Sequence, residues 1–105
     1  MQILRDYDGR QIRLTGERIR HIEVEHRSVL EIPDGIAITL ESPEVVRRSV
    51  RSRDVRLYYR WYTGTRYGDK YVCVVVVMLD DDAWIATAYL ADRIKRGELI
   101  WESAR

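Results

Sequence analysis

The sequence predicts an α+β domain in which N-terminal helices pack on one face of a mainly antiparallel sheet of roughly four strands. Apolar residues recur at helical spacing within residues 16–27. The second half is instead rich in β-branched and aromatic residues, in segments 55–62, 71–79 and 84–90. A length of 105 residues fits one domain with one core, residues 1–105.

The chain is expected to begin with a hairpin and a helix. Asp8-Gly9 is a turn signal between two short apolar segments. Thr15 is a suitable N-cap for a helix over residues 16–27. Ile19, Ile22 and His26 recur at helical spacing there and form one stripe that faces the sheet.

The next segments are shorter. A second helix is predicted over residues 34–41, although its apolar alternation also fits a strand, and Ser42-Pro43 ends it. Residues 44–48 form either a short strand or a connector.

The C-terminal half is predicted to be a meander. Residues 71–79 are apolar on both faces, which is typical of a central strand covered on both sides. Strand 84–90 follows an acidic turn at residues 80–82, which we expect to be solvated rather than to bind a metal. One turn of helix at 92–96, capped by Gly97, and an edge strand at 99–101 complete the chain.

Composition excludes several classes of protein. The net charge is +1, so the chain is not a polycation. The longest apolar run is far shorter than the roughly 20 residues that span a bilayer as a helix. The first residues lack the apolar core of a signal peptide, and Cys73 is the only cysteine. We therefore expect a cytoplasmic protein without disulfides, membrane association or a bound cofactor.

The strand over residues 55–62 has two distinct faces. One face is expected to join the core (Val55, Leu57, Tyr59 and Trp61). The other is a ladder of arginine and tyrosine (Arg56, Tyr58, Arg60 and Tyr62). Guanidinium groups bind phosphates and phenol rings stack on bases, so this face is a candidate RNA-binding surface together with Lys70. The alternative is an ordinary exposed sheet face with arginine–tyrosine pairs.

The two histidines are candidates for acid–base chemistry. His21 and His26 are five residues apart, about 140° around a continuous helix, so we expect them on different faces. His26 would face the sheet, as a core histidine or as a general acid or base, while His21 would be exposed. Two histidines and one cysteine do not suffice for a structural zinc site.

A polar pocket is expected where the arginine–tyrosine ladder meets the strand over residues 84–90. Thr87 and Tyr89 place two hydroxyl groups on one face of that strand. Metal-free RNA cleavage by the 2′-hydroxyl needs a base, an acid and cations around phosphorus. Histidine titrates near neutral pH and suits the proton transfers. Arg60 and Lys70 would hold the negative charge.

These segments resemble a known group of small nucleases. The runs 57–60, 70–76, 87–89 and 93–101, with His21 and His26 in the first helix, are similar to the phage and bacterial branch of the barnase–EndoU–colicin–RelE (BECR) fold. The resemblance implies a BECR- or RelE-like fold and a metal-independent endoribonuclease, often a toxin or phage effector. Arg27 and Leu90 stand where that pattern usually has proline.

The resemblance also implies roles for individual residues. His26 would act as general base or acid, with His21 a second candidate. Arg60 and Lys70 would stabilise the phosphate charge, and Thr87 and Tyr89 would bind or orient the scissile group. A toxin of this kind would have an acidic antitoxin or immunity protein as a partner, besides RNA.

Two other functions stay open at this point. The arginine–tyrosine face suits a non-catalytic RNA- or protein-binding module equally well. Exposed aromatic residues (Tyr58, Tyr62 and Tyr67) would alternatively form a homodimer surface.

Overall fold

The computed structural model describes residues 1–104 and forms an α+β domain with a seven-stranded sheet. The strands are β1 Gln2–Arg5, β2 Gln11–Leu14, β3 Val45–Arg48, β4 Val55–Thr65, β5 Gly68–Met78, β6 Ala83–Ala91 and β7 Leu99–Glu102. The helices are α1 Gly16–Glu25 and α2 Gly35–Glu41, joined through a 3₁₀ helix at Arg27–Glu31. The predicted α+β class, with helices packed on a sheet, is confirmed.

The sheet has more strands than the roughly four predicted. Its order is β1-β2-β6-β5-β4-β3-β7, with antiparallel neighbours except for the parallel pair of β2 and β6. The N-terminal hairpin joins the sheet at the pair Arg13 and Trp84, and β7 adds to the outer edge of β3. The count of four was wrong because partners distant in the sequence hold the short strands in this sheet: β6 holds the hairpin through β2, and β7 pairs with β3.

The helices cover one side of the sheet, which we call the helix face. Thr15 caps α1 by accepting a hydrogen bond from the backbone N–H of Arg18 at 3.2 Å, and Ile22 is fully buried. From the sheet, alternate residues of β5 supply the centre of this core (Val72, Val74 and Val76). The predicted N-cap and the predicted buried stripe of α1 are thus confirmed at these positions.

Both faces of β4 are buried at its centre: Leu57 and Tyr59 are buried as predicted, but the arginine–tyrosine face is not exposed. Tyr58 is directly opposite Val74, so the arginine–tyrosine ladder lies on the helix face. Tyr58 is fully buried there, and its hydroxyl donates a hydrogen bond to the Asp6 carboxylate at 2.7 Å. Burial, reinforced by Asp6, raises the pKa of Tyr58. Alternation along a strand separates two sets of side chains, but it does not tell which set the helices cover.

The second side of the sheet is crossed by residues 92–98, which we call the strap, and this side is the strap face. Leu57, Tyr59 and Cys73 form a small buried cluster on it, against which Ile94 of the strap packs. The backbone N–H of Lys95 donates to the Tyr59 hydroxyl at 3.1 Å. The predicted helical turn at 92–96 is wrong, because this N–H bonds to the sheet instead of to a preceding turn.

Candidate functional site

The two histidines lie side by side, contrary to the sequence expectation. Helix α1 ends at Glu25, and His26 is its C-cap with φ −143° and ψ 44°. The chain therefore leaves helical geometry at the second histidine, so the angle calculated for a continuous helix does not apply. The ring centroids of His21 and His26 are 5.9 Å apart, and both side chains are half-buried.

Helix α1 brings these histidines to the edge of β6. Strand β2 pairs with β6 at Arg13 and Trp84, and α1 lies against the following part of β6. The Arg18 guanidinium donates to the Ala86 carbonyl at 3.0 Å. His21 Nε2 and Thr87 Oγ1 share a hydrogen bond of 3.1 Å. That hydrogen bond fixes the orientation of the His21 ring.

Tyr89 connects the second histidine to the strap. Its ring centroid is 5.5 Å from that of His26, and Lys95 Nζ lies over the same ring at 5.4 Å. A cation over an aromatic face is an attractive contact, so Tyr89 contacts both the Lys95 ammonium and the His26 imidazole. We call the resulting group the histidine cluster (His21, His26, Thr87, Tyr89 and Lys95).

Buried groups form the floor beside the histidine cluster. The Cys73 thiol is fully buried in a cluster with Leu57 and Tyr59, and Tyr89 packs against this cluster. Burial raises the pKa of Cys73 to about 11 and raises the pKa values of both tyrosines. These groups stay protonated at neutral pH, so they support the site rather than transfer protons. The expectation that Cys73 is an inert core residue agrees with this burial.

The structure does not bring the predicted phosphate-binding residues to this site. Arg60 is opposite Val72, whereas Tyr89 is opposite Cys73, so Arg60 and Tyr89 point to opposite faces. The Arg60 guanidinium donates to the Ser42 carbonyl at 2.6 Å. Lys70 also lies on the helix face, where it forms an ion pair with Asp92. The expected pocket is therefore wrong for Arg60 and Lys70, which lie on the other face of the sheet from the Tyr89 hydroxyl.

The predicted RNA-binding face is likewise covered. Tyr58 is fully buried, Tyr62 packs against the main core, and Arg56 lies near Tyr58. A base has no access to the Tyr58 ring, so neither base stacking nor the predicted homodimer surface is possible at that residue. Tyr67 is 44% exposed, but it lies beyond the end of β4.

Lys95 is the member of the histidine cluster that the sequence interpretation missed. It is part of the run of residues 93–101 that carries the family resemblance, but it was assigned to a helical turn without a role. The spacing of the basic residues was a usable signal, since Arg93, Lys95 and Arg96 cluster after a strand that carries two hydroxyl groups. All three are exposed on the strap.

The structure offers no metal centre within residues 1–104, where no cluster of three or more histidine, cysteine or acidic side chains is found. Within the acidic turn, Asp82 accepts two hydrogen bonds from Arg13, at 3.0 and 2.7 Å. The Arg13 guanidinium thereby lowers the pKa of Asp82.

No helix in the described part of the chain has the length and apolar character to cross a membrane. No family model, curated protein or solved structure matches this chain.

Proposed function

We propose that this protein is a metal-independent endoribonuclease whose reaction centre is the histidine cluster. The observation that carries the proposal is the pair of half-buried imidazoles, 5.9 Å apart between centroids. The Thr87 hydroxyl hydrogen bonds to His21, and the Lys95 ammonium lies over Tyr89, whose ring contacts His26. Two neighbouring imidazoles provide the acid and the base that RNA cleavage needs.

The proposed reaction is an internal transfer at phosphorus. One imidazole removes the proton of the ribose 2′-hydroxyl, whose oxygen attacks the adjacent phosphorus. The other imidazole protonates the 5′-oxygen as the phosphorus–oxygen bond breaks. The products are a 2′,3′-cyclic phosphate and a 5′-hydroxyl, and no added water or metal is required for this step.

Lys95 is the proposed source of electrostatic stabilisation. Negative charge grows on the non-bridging oxygens in the transition state, and a positioned cation lowers its energy. The Lys95 backbone is held by Tyr59, and its ammonium lies over Tyr89. Lys95 thus replaces Arg60 and Lys70 in the role that the sequence assigned to them.

Alanine variants of the two histidines test this function. We expect His21→Ala and His26→Ala each to lower the rate of RNA cleavage by about 10²–10⁴-fold, because each removes a proton-transfer group. RNA affinity and the circular dichroism spectrum should persist, and EDTA should have no effect. Glu23→Ala is the matched control, since Glu23 is an exposed position of α1. Full cleavage by both histidine variants would remove the cluster from the mechanism.

A modified substrate assigns the acid and the base. Sulfur in place of the 5′-bridging oxygen gives a leaving group that departs without protonation. The variant that lacks the acid should recover cleavage on this substrate, whereas the variant that lacks the base should not. Rescue of neither variant contradicts the division of roles.

The same proposal includes a toxin function and a BECR- or RelE-like fold. The sequence resemblance to the BECR nucleases supports both. The exposed basic residues of the strap would suit an acidic antitoxin or immunity protein. Expression of the chain in a bacterial host should arrest growth, while expression of His26→Ala should not. Equal growth of both cultures contradicts a toxin.

A further inference from the structure

An aromatic pair stands on the strap face next to the histidine cluster. Trp61 of β4 is directly opposite Tyr71 of β5, and their ring centroids are 4.7 Å apart in an edge-to-face arrangement. Trp61 is 38% exposed, and Tyr71 is half-buried. A large indole that remains this exposed on a sheet face is available to a ligand.

The aromatic pair continues toward the proposed reaction centre. Tyr71 also contacts Tyr59 at a centroid distance of 5.9 Å. Tyr71 is opposite Ala91, two residues from Tyr89 on the same face of β6. Diagonal neighbours on adjacent strands are about 7–8 Å apart, so Tyr71 lies about this far from Tyr89, whose ring contacts His26.

The charges around this face favour a polyanion. Three exposed basic residues lie on the strap (Arg93, Lys95 and Arg96). Lys95 contacts Tyr89, which places one of these charges at the end of the aromatic row. Aromatic rings beside a positively charged path are the combination that binds single-stranded nucleic acid, because bases stack on the rings while cations contact the phosphates.

We propose that Trp61 and Tyr71 form a base-stacking subsite that makes single-stranded RNA the substrate of the histidine cluster. The proposal rests on the proposed function and deepens it. A nucleotide within a few positions of the scissile phosphate stacks its base on Trp61, while the strap contacts the backbone. The bases of a duplex stack on each other and offer no free face, so a double helix gains nothing from this subsite.

The test measures binding separately from cleavage. Affinity for a labelled single-stranded oligoribonucleotide and for a hairpin duplex is measured by fluorescence anisotropy, with every 2′-hydroxyl methylated so that the 2′-oxygen cannot attack and the RNA stays intact. Trp61→Ala should weaken single-strand binding about 5–150-fold, the loss of one stacked base. Duplex affinity should not change. Trp61→Phe should recover much of the binding, because a ring remains.

The matched control is Tyr67→Ala, which removes an exposed aromatic residue in the turn between β4 and β5, outside the Trp61–Tyr71 pair. It should leave both affinities unchanged. Photocrosslinking of the unaltered chain to RNA, followed by mass spectrometry, tests the contact without a substitution. A crosslink in the Trp61 or Tyr71 peptide supports the subsite, and crosslinks confined to other peptides overturn it.

The outcomes separate the subsite from the proposed function. If Trp61→Ala binds single strands as well as its parent, the subsite is wrong even where the histidine variants lose cleavage. If Trp61→Ala loses single-strand binding but the histidine variants cleave normally, the subsite stands and the proposed reaction centre fails. If sedimentation shows that Trp61→Ala dissociates a dimer while RNA affinity persists, the pair is a protein contact and the proposal is overturned.

Discussion

At the scale of single residues, Asp6 is a buried acidic residue to which the sequence analysis gave no role. It is 5% exposed and accepts hydrogen bonds from the backbone N–H groups of Asp8 and Arg10, at 3.0 and 2.9 Å, and from Tyr58. A buried carboxylate is tolerated only with such partners. This residue therefore ties the N-terminal hairpin to the middle of β4.

Replacing Tyr58 tests this buried hydrogen bond. Tyr58→Phe should lower the free energy of unfolding by about 1–3 kcal/mol, because one Asp6 oxygen loses its donor in a buried site. Urea unfolding followed by circular dichroism measures the change. Tyr67→Phe, at an exposed tyrosine, is the control and should change stability by about 0.5 kcal/mol or less. Equal effects of the two variants would show that the buried bond contributes no stability.

At the scale of elements, two helix predictions had different outcomes for a common reason. Helix α1 was predicted because its cap and apolar stripe are local, and it forms where expected up to Glu25. The strap was predicted as a helical turn from its terminal Gly97. Its backbone instead bonds to Tyr59, whose position depends on the whole sheet. Local signals predict an element only where no distant partner competes for its backbone.

Gly97 is the position of the strap at which we expect an added side chain to be most disruptive. A Cβ there would lie 2.1 Å from the Arg48 carbonyl oxygen, and φ is +156°. Gly97→Ala should therefore lower the free energy of unfolding by more than about 1 kcal/mol. It should also slow RNA cleavage, because Lys95 is displaced from Tyr89.

Gly16→Ala is the matched control for the strap variant. A Cβ at Gly16 meets nothing within 4 Å, and the residue begins α1. Its stability and cleavage rate should equal or exceed those of the parent, measured by urea unfolding and by cleavage of a fluorogenic RNA. A stable, fully active Gly97→Ala variant contradicts the role given to the strap.

At the scale of the whole molecule, one sheet separates a helix-covered core from a smaller cluster under the strap. The central strands are buried on both faces, as predicted from the apolar run in β5. Three tyrosines lie in these two regions: Tyr58 is fully buried under the helices, and near the strap Tyr59 is fully buried and Tyr89 half-buried. Burial raises the pKa of all three above the ordinary value of 10.0.

These tyrosines predict a loss of stability in alkali. Above pH 10.0, the ordinary pKa, the unfolded chain releases phenolic protons that the folded protein retains. The folded state then binds more protons, so the free energy of unfolding falls as pH rises. The urea midpoint should be steady near neutral pH and decrease above that value. Tyr58→Phe should flatten the decrease, and a midpoint independent of alkaline pH contradicts the prediction.

The sequence by itself determined the class of fold, the hairpin, the first helix and the long strands, because caps, turn residues and side-chain periodicity act between neighbours along the chain. It also identified four members of the histidine cluster (His21, His26, Thr87 and Tyr89). Only the tertiary structure decided which face of β4 the helices cover, and hence that Lys95 rather than Arg60 joins this cluster. The physical reason is that a period of two residues is symmetric between the faces of a strand, and long-range packing alone breaks that symmetry.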